Sequence, residues 1–222
     1  MAKFVLPGGT DVAEVALFSL DALRDEGPDG EELVRLEGMA AIVRFPTGGD
    51  GGYLLHAYVD ESIPGSIARY CDKSDRKTAR ISLPSGRVGF GGVESAFASY
   101  KPNSNIRTDG SFPPGDYDVE AFHTEFPDGL VEKEILERVG KRGMRLLSLP
   151  AYLIPMVLLL AVGALALKAW LIGVIVVGTA VVGLKGFYFR SPTIKKLREQ
   201  QLDAQREYPS IVVALRSKGG VP

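Results

Sequence analysis

Two kinds of hydropathy pattern divide this chain. Up to about Arg145 the apolar residues come in short runs, many of them alternating with polar ones and bounded by turn residues. Tyr117 to Thr124 is the clearest: Tyr117, Val119, Ala121 and His123 alternate with Asp118, Glu120 and Phe122, as on a strand with one face buried. Lys3–Leu6, Glu32–Glu37, Met39–Phe45 and Tyr53–Val59 also read as strands; Val12–Leu20 fits either a short helix with Val12, Val15, Ala16 and Leu20 on one side or, by its β-branched content and neighbours, a strand. Thr78–Leu83 and Arg87–Phe90 read as a hairpin closed by Pro84-Ser85-Gly86. Lys101 to Gly110 is a polar loop. Ser66–Asp75 holds a helical turn, and Leu130–Met144 has helical spacing at Leu130, Val131, Ile135, Leu136 and Val139.

From Leu146 the pattern changes. About 22 residues without charge reach Leu167, Lys168 follows, and a second apolar run ends in Phe187-Tyr188-Phe189. A helix needs about 20 apolar residues to cross the hydrocarbon core of a bilayer. The pattern therefore predicts two spans, about 146–167 and 169–189, with a turn near Lys168. Lys141, Arg142 and Arg145 precede them, and Lys185, Arg190, Lys195, Lys196 and Arg198 follow. The positive-inside rule then places both termini in the cytoplasm of a bacterium, with the hairpin in the inner membrane. Ser191-Pro192 opens a helix expected to run to about Arg206.

The predicted fold class is α+β: a predominantly antiparallel β domain over residues 1–140, a transmembrane hairpin over 141–190, and a helical C-terminal tail over 191–222. The first part has the turn chemistry and strands of an independent domain.

Charge sharpens this division. Residues 1–140 carry 14 Lys and Arg against 24 Asp and Glu, and the remainder carries 12 against 3. An acidic domain is ill suited to nucleic acid, which demands a basic face, and suits a basic protein partner. Asp116, Asp118 and Glu120, on one face of the 117–124 strand, are the candidate partner-binding residues. Membrane lipids are the second expected partner. In the hairpin, Thr179 and Gly183 form a small-xxx-small pair, and Gly163 and Gly178 offer further close approach. The four are candidate helix-packing residues through which the chain would form homo-oligomers.

Catalytic chemistry finds little purchase. Cys71, the one cysteine, could act with His56 or His123 only if the fold brought them together. The two histidines, with Asp60, Glu61 or Glu125, lack recognisable metal-ligand spacing. The glycine clusters at 48–52 and 89–92 lack the strand, lysine and helix of a phosphate loop. No cofactor, metal or catalytic residue is predicted.

Ile81–Glu94 (ISLPSGRVGFGGVE) and Phe112–Glu125 (FPPGDYDVEAFHTE) resemble the β-rich domains of bacterial immunity proteins, which protect cells against toxins delivered by contact-dependent or type VI secretion. The resemblance covers about a quarter of the chain, and its strand-turn-strand and Pro-Gly-x-Tyr motifs are unspecific. It implies a protein that binds and occludes a toxin effector. The alternatives are a structural or regulatory subunit of a membrane complex and, third, a membrane-tethered enzyme.

Overall fold

A computed structural model describes residues 2–103, 105–166, 177–179, 183, 186, 188 and 190–218. It divides into two compact units. One is formed by Met1–Phe126 together with Tyr208–Pro222, the other by Pro127–Glu207.

Among the described residues the first unit holds nine strands: β1 (Ala2–Thr10), β2 (Glu14–Ser19), β3 (Ile42–Pro46), β4 (Gly51–Val59), β5 (Lys77–Leu83), β6 (Arg87–Gly92), β7 (Arg107–Ser111), β8 (Gly115–His123) and β9 (Ile211–Ser217). They form a five-stranded sheet in the order β1-β4-β9-β8-β5 and a four-stranded sheet in the order β3-β2-β6-β7. The inner faces of both sheets supply one core, with Leu17, Val43, Phe90, Leu55, Val119 and Val213 among its members. Alternation explains this. On β8, Tyr117, Val119 and Ala121 point in, while Asp116, Asp118 and Glu120 point out.

Outside the sandwich, helix α1 (Gly30–Gly38) covers the four-stranded sheet, Leu36 packing with Phe18 and Ile42. The short helix α2 (Gly65–Ala68) covers part of the other sheet, Ile67 packing with Tyr58 and Val212. The expected hairpin does not form: β5 pairs with β8 in one sheet and β6 with β2 and β7 in the other, so Pro84-Ser85-Gly86 is a turn that carries the chain between sheets. Its Gly86 has φ +77°, and a Cβ there would lie 2.1 Å from the Phe112 carbonyl oxygen, so only glycine fits this turn.

Three further local expectations change. Glu32–Glu37 lies in α1: Asp29 caps the helix by accepting from the Glu32 N–H at 2.8 Å, and Leu33 and Leu36 fall on one helical face. The polar segment 101–110 contributes most of β7 (Arg107–Ser111). The C-terminal tail is not wholly helical, because β9 enters the centre of the five-stranded sheet, parallel to β4 and antiparallel to β8. The fold class is therefore mixed, with two sheets, one of which contains a parallel pair.

In the second unit, helix α3 (Leu130–Ala166) and helix α4 (Pro192–Gln205) share a small core of Ile135, Val139 and Ala204. Arg138 pairs with both Glu134 and Glu207 at 2.7 Å. The transmembrane hairpin is overturned: among the described residues no helix is long and apolar enough to cross a membrane. The apolar residues 146–166 are not a span of their own. They follow, beyond a break at Gly140 (φ 74°, ψ 159°), a helical stretch that begins among charged residues at Leu130, and they carry Pro150 and Pro155. Lys168, and residues 169–176, 180–182, 184, 185, 187 and 189 of the second expected span, lie outside the described residues. The inner-membrane location with cytoplasmic termini rested on that hairpin and is withdrawn with it.

Candidate functional site

Where α2 leaves the five-stranded sheet uncovered, its outer face carries charge strand by strand. Arg216 on β9 lies opposite Asp118 on β8, and Asp118 lies opposite Arg80 on β5. Arg80 Nε is 3.4 Å from Asp118, Lys218 Nζ is 3.0 Å from the same carboxylate, and Arg76 Nε is 2.7 Å from Glu120. Asp116 is exposed, and its backbone carbonyl accepts from the Lys218 N–H at 2.8 Å. The three predicted carboxylates thus sit side by side, but as the middle line of a basic–acidic–basic pattern. Opposite charges facing one another across strands are mutually favourable. At such exposure each pair adds only about 0–1 kcal/mol to stability. The face can be remodelled by a partner without loss of the fold.

Two clefts open on this face and share Arg76, Glu120, Ala214 and Arg216. Ala214 is the smallest side chain on the outer face of β9, which lowers the floor between them. The smaller cleft, about 440 Å³, has an apolar wall of Ile63, Ala68, Cys71 and Phe122. The larger, about 770 Å³, runs along the edge of β5 to β3 and is lined by Arg44, Arg76, Lys77, Arg80 and Arg216 against Glu37, Asp118 and Glu120. Arg44 is held by Glu14 at 2.6 Å, and the hydrogen bonds to that carboxylate push the guanidinium pKa further up. The Lys77 ammonium donates to the Arg44 carbonyl. Nothing in the strand pattern announced these clefts, since the larger depends on how β3 and β5 diverge and the smaller on where the segment around α2 lies over β8 and β9.

The residues considered for catalysis are kept apart. Cys71 forms an isolated antiparallel bridge with Thr124, so these two side chains share a face. His123, one residue earlier, points to the other face, where Nδ1 meets Asp75. Burial among Tyr58, Ile67 and Val212 pushes the Cys71 thiol up, away from the thiolate a nucleophile needs. His56 is fully buried in β4, its ring edge-on to Tyr58 at 6.3 Å. Among the described residues no three His, Cys, Asp or Glu side chains are grouped to hold a metal ion.

The predicted helix-packing residues lie in the second unit. Gly163 is in α3, and Gly178, Thr179 and Gly183 are helical in backbone. A Cβ at Gly178 or Gly183 would meet nothing within 4 Å among the described residues. Arg107 was missed by sequence reasoning. Only 3 % exposed, it donates to Asp109 at 2.6 Å and to the carbonyls of Ser95 and Phe97 at 2.8 Å, and lies over the rings of Phe18 and Tyr100. Its role is to pin the loop after β6 to the four-stranded sheet. An arginine in a stretch read as polar loop gave no signal of this.

Comparison with known proteins gives no matching family model and no matching curated protein. Among solved structures, the chain is similar to the product of crocagin biosynthetic gene J, with 19% identity, 55% of this chain and 76% of that chain covered, and a TM-score of 0.39. It is also similar to ComJ of Bacillus subtilis, described as an inhibitor of the DNA-degrading activity of NucA, with 10% identity, 56% and 82% covered, and a TM-score of 0.36. Likenesses this slight bear on neither activity nor site.

Proposed function

We propose that this chain is a protein-binding factor that occludes its partner, in the manner of an immunity or inhibitor protein, and that the uncovered face of β8, β5 and β9 is the contact surface. The observation that carries the reading is the strand-by-strand charge of that face, with Asp116, Asp118 and Glu120 along its middle. Patterned charge of this kind steers encounter and fixes register between proteins, more than it adds affinity. The pairs are exposed enough for a partner's charges to compete for them. Cys71 and His123, pointing to opposite faces, are a poor basis for a catalytic reading. The role is of the same kind as the one stated for ComJ and does not rest on it.

A photo-crosslinking residue in place of Asp116, in the full chain, identifies the partner. The purified partner is then titrated with the wild type, with Asp118→Lys/Glu120→Lys, and with Glu31→Lys on the exposed side of α1 as a control. The expected result is that the wild type abolishes the partner's activity, and that the double reversal binds about tenfold more weakly, a change of ~1.4 kcal/mol, mainly through slower association. The control binds as the wild type does. Equal binding by all three proteins, each with an unchanged melting curve, refutes the assignment of this face.

A further inference from the structure

The edges of the two sheets approach each other on one side of the sandwich and then separate. β3 pairs only with β2, and β5 only with β8. At one end the Ser82 N–H donates to the Ala40 carbonyl at 2.7 Å. At the other, no backbone bond joins them among those described, and the Lys77 ammonium spans the gap to the Arg44 carbonyl. Bonds at Ala40–Ser82 and Arg44–Lys77 set an antiparallel course that has opened like a wedge.

Strand parity tells which groups face the opening. Successive residues turn their N–H and C=O to opposite edges. Ser82 turns toward β3, so Arg80 and Thr78 do so too. The Arg44 carbonyl turns toward β5, so that of Ile42 does as well. The Ser19 N–H donates to Ala41, whose carbonyl faces β2, as this parity requires. The larger cleft is therefore lined by two backbone edges, not by side chains alone. Its lining is consecutive through Arg76–Arg80 on β5 and Ile42–Arg44 on β3.

Resting on the reading of the chain as a protein-binding factor, we propose that the cleft receives an extended segment of the protein partner as a sixth strand on the β5 edge, with acidic side chains outward and apolar ones inward. Main-chain hydrogen bonds to Thr78 and Arg80 hold it, as in other cases of strand addition. The charge pattern selects it. β9 presents Arg216, β8 presents Asp118 and Glu120, and β5 presents Arg76 and Arg80. The next strand outward continues the alternation if it is acidic. On its inner side it meets Val43 and Ala79, which take apolar residues. Lys77 guards the edge until then. An inward-pointing lysine is a common protection against indiscriminate edge pairing, and it leaves the Arg44 carbonyl when the segment's backbone enters the gap. Arg216 has no carboxylate within ion-pair distance among the described residues, so one cation of the cleft's outer face is left for the segment's acidic groups.

The probe is an eight-residue peptide of alternating valine and glutamate, offered to the full chain alongside its valine–lysine counterpart and a version N-methylated at alternate backbone positions. Binding is followed by calorimetry and by amide hydrogen exchange. Expected are slowed exchange at Thr78 and Arg80 with the glutamate peptide, and at least about tenfold weaker binding of the other two. In Arg80→Glu the preference should reverse toward the lysine peptide, a gain that misfolding could not produce. Equal binding of the N-methylated peptide, unchanged exchange at Thr78 and Arg80, or an unaltered preference in Arg80→Glu overturns the proposal. The crosslinked partner separates the two claims. If it binds the β8 face while the glutamate peptide neither binds nor competes, strand addition is wrong and the partner reading stands. If the peptide adds at the edge and no partner is found through β8, the edge site stands and the occlusion reading falls.

Discussion

Removing β9 should unfold the first unit, although β9 lies at the far end of the sequence. The expectation from sequence, that residues 1 to about 138 fold alone, omits this strand. β9 pairs with β4 over Ile211–Leu215 and with β8 over Ile211–Ser217, so its loss splits the five-stranded sheet down the middle. Ile211, Val212, Val213 and Leu215 are each completely buried. At about 1.5–3 kcal/mol for burying each such side chain, they contribute ~6–12 kcal/mol. That is comparable with the ~5–15 kcal/mol by which a whole domain is stable. The fragment 1–138 should show no cooperative urea transition by circular dichroism. The complementary protein joins residues 1–126 to 208–218 by four Gly and Ser residues, which reach about 13 Å when extended. That is ample, because the rings of Phe126 and Tyr208 already meet at 5.1 Å between centroids. This spliced unit should melt cooperatively with a β spectrum. A cooperative transition in fragment 1–138 equal to that of the spliced unit would refute the reasoning.

Other perturbations test the remaining contacts. Arg107→Ala leaves Asp109 and two carbonyls without their donor, and should cost about 3–5 kcal/mol in urea denaturation. Arg107→Lys, which keeps the charge but loses the fork, should recover little of it. Cys71, its pKa raised by burial, should react with iodoacetamide at pH 8 more than about tenfold slower than a free thiol. Cys71→Ser should keep partner binding. Glu32 accepts from Arg35, which holds its carboxyl below its ordinary value of 4.5, with Arg24 adding to the effect. Its contribution is therefore present above that pH and is lost as pH falls through the folded-state value. Glu32→Gln should flatten the acid side of the stability profile, and an unchanged acid side would refute the assignment.

What could be read from sequence was whatever is local. Thr78–Leu83, Pro84-Ser85-Gly86 and Arg87–Phe90 announce two strands and a turn because alternation and turn chemistry act within a few residues, but not that the turn leads into the other sheet instead of closing a hairpin. Glu32–Glu37 misled because Glu-Leu-Val-Arg-Leu-Glu fits both periods, and only the Asp29 cap decides for the helix. The polar strand β7 pairs with β6 while offering no apolar alternation to detect. Over residues 146–166 the apolar run misled because it carries no sign of the break at Gly140 or of the charged helical stretch before it. The larger losses are long-range. Leu55 and Ile211 are register partners 156 residues apart, and no local rule connects them. The same distance hid the site. An excess of ten acidic residues over residues 1–140 reads as a bare acidic domain, whereas registry places Arg80 and Arg216 on either side of Asp118. Net charge therefore pointed to a basic partner throughout. The folded pattern asks for acidic groups beside β5 and basic ones only over β8. A partner that met this face with a uniformly basic surface would be repelled along two of its three strands.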